Sequence, residues 1–319
     1  MTTKLAAFLL AGICASAAHA TTVLDYNLVV LGNFNGYNSD VEGAVAAKGN
    51  ASITSYSVGA KAGSGNANLV VGGNLSVGSG GGSTNGKTLA GGTVTTPSWG
   101  GYGNGGITSG DSALPIDFAA EAARMTWLSS TLSDYSANGS VVSQWGQLYF
   151  TGTSSTLNVF DVTAAQMASS NTFHVNVAAG SEVLFNISGL SASMQNAGFD
   201  LQGVDASKIL YNFYDATSLS FSGIGIQGSV LAPDAAYNGG YGNVNGEMIV
   251  SSFDAPTQIN SVPYAGSLLA LAPANAGNST PSVGAVPEIA TWAQMIAGFG
   301  AIGWVLRRSR KPRAQGATF

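Results

Sequence analysis

The chain has 319 residues, with 11 Lys+Arg against 16 Asp+Glu and a formal net charge of −5. Without Lys4, the five basic residues after position 306 and Glu288, the stretch between the termini stands near −10, a surface that repels nucleic acid. The one cysteine, Cys14, and one of the two histidines fall before position 21, so a disulfide scaffold, thiol catalysis and a His/Cys metal cluster are excluded for the remainder.

The N-terminal MTTKLAAFLLAGICASAAHA carries one lysine, an apolar stretch and a small-x-small end. It reads as a secretory signal peptide, residues 1–20, with Ala18 and Ala20 at the cleavage site. Ile13 is too large for lipid attachment at Cys14. Residues 21–264 follow as the exported domain. With 44 glycines in the chain and an apolar fraction of 45%, the composition calls for β-structure with tight turns and not for disorder.

Tyr26 to Gly32 is a short buried-type strand. A unit then recurs: Val41-x-Gly43-x-Val45-Ala46-Ala47, Ile226-x-Gly228-x-Val230-Leu231-Ala232 and Val244-x-Gly246-x-Met248-Ile249-Val250. The last two are 18 residues apart, a suitable length for one rung of a solenoid with glycine at a corner of positive φ. Residues 78–112 are glycine-rich, a long loop or several loose rungs. Residues 116–135 form the one helical segment, with Phe118, Met125, Leu128 and Leu132 at helical spacing and Asp117 and Glu121 at its start. Strands return over 146–228. Residues 265–285 read as a linker. The expected fold is mainly β, a right-handed β-helix or solenoid with one inserted or capping helix, plus a C-terminal transmembrane helix; a β-sandwich is the alternative.

The chemistry-bearing residues are sparse. His174 lies on the polar side of an alternating strand, away from Phe173, Val175 and Val177, with no serine-histidine-carboxylate arrangement to place it in. Asp200, Asp205, Asp215 and Asp234 are the carboxylates that a polysaccharide-cleaving β-helix would use, although turn-capping aspartates are commoner. Asp40 with Glu42, or Asp234 with Asn238 and Asn243, offer oxygen ligands to calcium, but no calcium-loop motif is present; no metal site, cofactor or catalytic residue is assigned. Two aromatic-glycine stretches place Trp99 and Tyr102, and Tyr237 and Tyr241, beside amides, the composition of loops that stack on sugar rings. Pinning of long turns to the β-body is the plainer use of those rings. Thr93–Thr96 is too short for the threonine ladder that an ice surface would need.

At the C-terminus, Val286-Pro287-Glu288 precedes an uncharged run from Ile289 to Leu306, 18 residues, just long enough to span a bilayer as a helix. Arg307, Arg308, Arg310, Lys311 and Arg313 close it, a flank that stays in the cytoplasm. With Ala290-Thr291-Trp292 after the Pro-Glu pair, residues 286–313 resemble the PEP-CTERM sorting signal of Gram-negative bacteria; Ile289 stands where that signal has its second proline. The resemblance implies recognition by an exosortase, a membrane protease-transpeptidase, with a membrane-inserted intermediate before release to the surface. A second resemblance covers residues 25 to 256. Tyr26-Asn27, Asn38-x-Asp40-Val41-Glu42-Gly43, Tyr211-Asn212-Phe213 and Gly228-Ser229-Val230-Leu231-Ala232-Pro233 are similar to the choice-of-anchor A domain. That implies an adhesive, non-enzymatic surface or matrix domain on a β-helix-like body, associated with exopolysaccharide; a polysaccharide lyase or hydrolase is the alternative.

Overall fold

In a computed structural model of the chain, residues 23–80, 82–98 and 103–271 are described. Except for one hairpin, the named strands pair in parallel, which is the ladder of a solenoid and not of a β-sandwich. Three strand faces make up the coil. The first is a stack of ten strands, from Leu157–Thr163 at one end through Glu182–Ser188, Ile209–Asn212 and the first halves of Ser229–Tyr237 and Met248–Ala255. It continues through Leu28–Val30, Val45–Ala47, Ala67–Val71 and Lys87–Ala90 to Ile107–Ser109.

The order of that stack is not the order of the chain. Leu28–Val30 pairs on one side with Val45–Ala47 and on the other with Met248–Val250. The chain therefore starts in the middle of the coil and winds out to Ile107–Ser109. It resumes at the opposite end and winds back until its last rung docks on its first. Between the two half-coils runs helix α1 (Phe118–Ser133), which lies over Ile209–Asn212 and Ser229–Tyr237. Asp117 caps it by accepting the N–H groups of Ala119 and Ala120, both at 3.1 Å.

Because α1 covers the first face, that face is buried on both sides. Leu28, Val30, Val45, Ala47, Leu69 and Val71 face the coil interior, whereas Val29, Ala46, Val70, Leu184, Leu210, Leu231 and Ile249 share a second core with Phe118, Met125, Leu128 and Leu132 of the helix. Strands buried on both sides have no use for alternation, and this is why they read as unbroken runs such as Leu28-Val29-Val30. A buried polar chain fixes the helix on this face. Ser129 Oγ donates to Asn212 Oδ1 (2.6 Å), Asn212 Nδ2 donates to Asn186 Oδ1 (3.0 Å), and Asn186 Nδ2 donates to the Leu132 carbonyl (2.8 Å).

The 18-residue repeat is one rung: Ile226 pairs with Val244 and Val230 with Met248. Of its glycines, only Gly228 has positive φ, at +142°. The others correct the expectation of a left-handed corner. A Cβ on Gly43 would stand 2.6 Å from the Asn27 Cβ, and one on Gly246 would stand 2.3 Å from the Gly228 carbonyl oxygen, so it is close approach between rungs that requires them. Residues 78–112 contribute loose rungs, Lys87–Ala90, Val94–Thr95 and Ile107–Ser109. A second, short helix, α2 (Ala164–Ala168), follows Leu157–Thr163 and carries a Thr163–Gln166 capping box.

Inside the coil an aromatic row crosses the junction of the halves: Phe221, Tyr237, Phe253, Phe34 and Tyr56 follow one another at centroid distances of 5.2 to 5.8 Å. Beyond residue 264, where a linker is expected, the chain is still part of the body. Glu182 accepts the N–H groups of Ser267 (2.9 Å) and Leu268 (3.1 Å), and Leu268 and Leu269 are buried beside α1. The expected signal peptide, sorting signal and transmembrane helix lie outside the described residues; among the described residues no helix is long and apolar enough to cross a membrane.

Candidate functional site

The second face of the coil alternates, so one side is core and the other is open. Phe34, Ala51, Ile53, Leu75 and Val77 point inward, and the residues between them form outward columns set by the ladder. Asn35 pairs with Asp254 and Ser52, Ser52 with Ser76, and Ser76 with Thr95. In the same register Ser191, Ser193 and Gln195 stand beside Ser218, Ser220 and Ser222. Neighbouring side chains in a column are thus one strand spacing apart, about 4.8 Å.

A second column runs along the corner of this face. Asn33 Oδ1 accepts the N–H of Asn50 (2.9 Å), Asn50 Oδ1 that of Asn74 (2.9 Å), and Asn74 Oδ1 that of Thr93 (2.8 Å). Each asparagine carbonyl satisfies the backbone of the next rung, where the turn leaves an N–H without a ladder partner. The three Nδ2 groups make no hydrogen bond within the protein and belong to exposed residues. Between the corner column and the Asn35–Ser52–Ser76–Thr95 column lies a groove of about 390 Å³. It presents amide donors on one wall and hydroxyls on the other, repeated once per rung.

The residues singled out in the sequence distribute differently. Trp99 and Tyr102 lie outside the described residues, as do Ala18, Ala20, Val286, Pro287, Glu288, Ala290, Thr291, Trp292, Arg307, Arg308 and Arg310. Tyr241 is exposed (68%), whereas Tyr237 is fully buried (0%). Tyr237 is therefore not a displayed ring. It ends the strand Ser229–Tyr237 with its ring in the aromatic row and its hydroxyl 2.8 Å from Thr257 Oγ1. The aromatic that glycine proximity should have flagged is Trp145, followed by Gly146. It is 81% exposed at φ +53° in the turn between Ser140–Gln144 and Gln147–Thr151.

His174 lies on Thr172–Asn176, which pairs in parallel with Gln147–Thr151 and Gly198–Gln202, and its side chain is in the outward layer of that sheet. Its ring stacks on Tyr149 at 4.5 Å, with Nδ1 3.0 Å from Asp200 and Nε2 3.1 Å from Gln147 Oε1. No serine or threonine hydroxyl is bonded to it, so the elements of a nucleophilic triad are not assembled. Asp205 caps a short turn by accepting the Ser207 N–H (2.9 Å), Asp215 accepts the Gly189 N–H (2.7 Å), and Asp234 is exposed on its strand. No hydrogen bond links any two of the four candidate aspartates among the described residues. Glu42 is engaged through one carboxylate oxygen by Lys61 (2.7 Å) and by the Ser261 N–H (2.9 Å). Among the described residues no group of three or more His, Cys, Asp or Glu is arranged to hold a metal ion. The carboxyl group that the fold perturbs most visibly is Glu247, whose pKa burial pushes up to about 7; nothing in its sequence context points to it.

No curated protein matches the chain at a significant level. Among solved structures, an ice binding protein from an Antarctic Biological Consortium is 11% identical, with 76% of this chain and 88% of that chain covered and a TM-score of 0.31. That similarity is too low to carry any feature of that protein over to this one. The family model described as "Putative Ice-binding-like adhesive domain" matches residues 20–261, the span that includes both half-coils, α1 and the grooved second face. Over that span the chain belongs to this family of adhesive-type domains.

Proposed function

We propose that the protein is an exported cell-surface or matrix adhesin that binds exopolysaccharide through the groove of its second face, after sorting by an exosortase acting on residues 286–313. The observation that carries the ligand reading is the paired array: unengaged Asn33, Asn50 and Asn74 amide donors facing Ser52, Ser76 and Thr95 hydroxyls at one-rung intervals. A polymer with repeating oxygen acceptors meets the same contact on each rung, so weak single bonds sum along its length. The columns mix Asn, Ser and Thr and carry no threonine ladder, so the proposed ligand is a polysaccharide and not an ice surface. The acidic body, with its few cations, suits a neutral polymer better than a polyanion.

The test is retention of the full-length protein on native exopolysaccharide, compared with Asn50→Asp. That exchange keeps the Oδ acceptor used by the Asn74 N–H and removes the outward donor, so retention falls several-fold while the melting temperature barely moves. Equal retention of the two proteins would sink the groove as the binding surface. Incubation that generates new reducing or unsaturated ends would overturn adhesion in favour of a polysaccharide hydrolase or lyase. For sorting, the mass of surface-released protein decides: a product that retains residues 288–319 would refute exosortase processing.

A further inference from the structure

At the Leu157–Thr163 end of the coil, two neighbouring sheet edges are finished differently. The first-face edge is closed by the chain that precedes it. Asn138 Oδ1 accepts the Val159 N–H (2.8 Å), Asn138 Nδ2 donates to the Leu157 carbonyl (3.0 Å), and the Asn138 and Gly139 N–H groups reach the Val159 carbonyl (3.1 and 3.2 Å). The four-stranded sheet beside it ends on Ser140–Gln144, which pairs with Gln147–Thr151 on one side. Among the described residues nothing is hydrogen-bonded to its other side.

The register says which groups that side presents. In a hairpin closed by a two-residue turn, the closing pair Gln144–Gln147 exchanges its backbone hydrogen bonds, and alternation does the same for Val142–Tyr149 and Ser140–Thr151. The N–H and C=O groups of Val141 and Ser143 therefore point away from the sheet, two donors and two acceptors along one regular edge.

This edge lacks the devices that keep such strands apart. It has no proline and no bulge, and no charged residue occurs between Asp134 and Asp161. Val142 is 50% exposed on its outward side, and Trp145 follows at 81%. Trp145 and Gly146 have φ of +53° and +74°, the two left-handed positions of a primed turn, where Asn-Gly is the favoured pair. A bulky residue at the first of them is held against its backbone preference, with its ring at the hairpin tip. The open edge at the other end of the first-face stack, Ile107–Ser109, is only three residues long.

An antiparallel second copy of Ser140–Gln144 satisfies this edge by symmetry. With the two-fold axis at Val142, Val141 exchanges two hydrogen bonds with Ser143 of the second copy, and Ser143 exchanges two with its Val141. Each side chain keeps its face under that operation, so Val142 meets Val142 on the open side. Trp145 comes opposite Gly139 of the second copy, where there is no side chain in its way. Charge favours the same contact: each body stands near −10, and an uncharged edge is where two of them approach with least repulsion.

We infer that Ser140–Gln144 is a self-association edge, through which two copies of the chain join in an isologous dimer. Five residues of edge and one ring bury less than a standard interface, so the dimer is weak between free molecules. It gains strength where many copies share one surface, because display raises their effective concentration; only this consequence draws on the adhesin reading.

Sedimentation equilibrium of the full-length protein tests the edge. The wild type should show a monomer–dimer equilibrium at micromolar to millimolar concentration. Val142→Lys, at an exposed position, sets two like charges directly opposite each other and should weaken the dimer about ten-fold or more, as should Val142→Glu. An equimolar mixture of the two variants should regain it, because Lys then faces Glu across the axis. Trp145→Asn gives the turn its favoured Asn-Gly, so its melting temperature should hold while association falls several-fold. A wild type that stays monomeric throughout that range would overturn the inference. So would association undiminished in Val142→Lys or Trp145→Asn, which would place the contact elsewhere on the chain, or a mixture that associates no better than either variant alone. Asn50→Asp should dimerise like the wild type, so failure of the edge is read apart from failure of the adhesive groove.

Discussion

The first and second faces of the coil are wound from the same rungs and carry opposite roles. On the first face, Leu28-Val29-Val30 and its neighbours are buried on both sides, inward against the coil interior and outward under α1. On the second face, reached after a short turn in each rung, Phe34, Ile53 and Leu75 are buried whereas Asn35, Ser52 and Ser76 are open. The difference lies in what covers each face, because the ladder is the same. One face holds the fold together, and the other is left free to vary its outward residues at little cost to stability.

That contrast predicts where substitutions will act. The largest effect is expected at Leu128 of α1, which is fully buried. Leu128→Ala should cost about 2–5 kcal/mol in chemical denaturation; a loss under 1 kcal/mol would mean that the helix is not what seals the first face. Glu247 comes next. Its folded pKa is raised from 4.5 to about 7 by burial, so between those values the folded state binds more protons than the unfolded one. Stability therefore falls as pH rises through that window, by about 3 kcal/mol in total. Glu247→Gln, which retains an acceptor for the Tyr264 N–H, should flatten the curve and gain on the wild type at pH 8 relative to pH 4. Parallel melting curves from pH 4 to 8 would count against the buried carboxyl.

A smaller effect is expected from Asn212→Ala. It leaves Ser129 and Asn186 without their partner beneath the helix and should cost about 1–3 kcal/mol by the same denaturation assay. On the open face, Ser52→Ala should shift stability by no more than about 0.5 kcal/mol and still weaken polymer retention. A second-face substitution as damaging to folding as Leu128→Ala would erase the distinction between the faces.

Part of this arrangement was legible beforehand. The helix came from its apolar spacing and from Asp117 and Glu121 near its start, and the Ile226/Val244 repeat of 18 residues is the rung that the ladder realises. Local pattern also placed His174 on the open side of its strand. Tyr237 and Tyr241 show where the reading stopped. Both sit among Gly and Asn four residues apart, yet one is sealed in the aromatic row and the other stands in solvent. The strand Ser229–Tyr237 decides this by ending on an inward position, and a glycine-rich context does not reveal that phase.

The sequence by itself determined that this is a β-rich, acidic, glycine-rich body with one long helix. Those properties follow from composition, period and short motifs, which are local. Tertiary structure alone decided that the coil is wound in two pieces meeting at Leu28 and Met248, that α1 covers the outer side of the apolar strands of the first face, and that Asn68 and Glu247 share one cavity. A parallel ladder joins any two strands of matching length and face by backbone hydrogen bonds that carry no side-chain label. Which rung meets which is therefore settled only when the whole coil, with its helix in place, has buried its apolar surface.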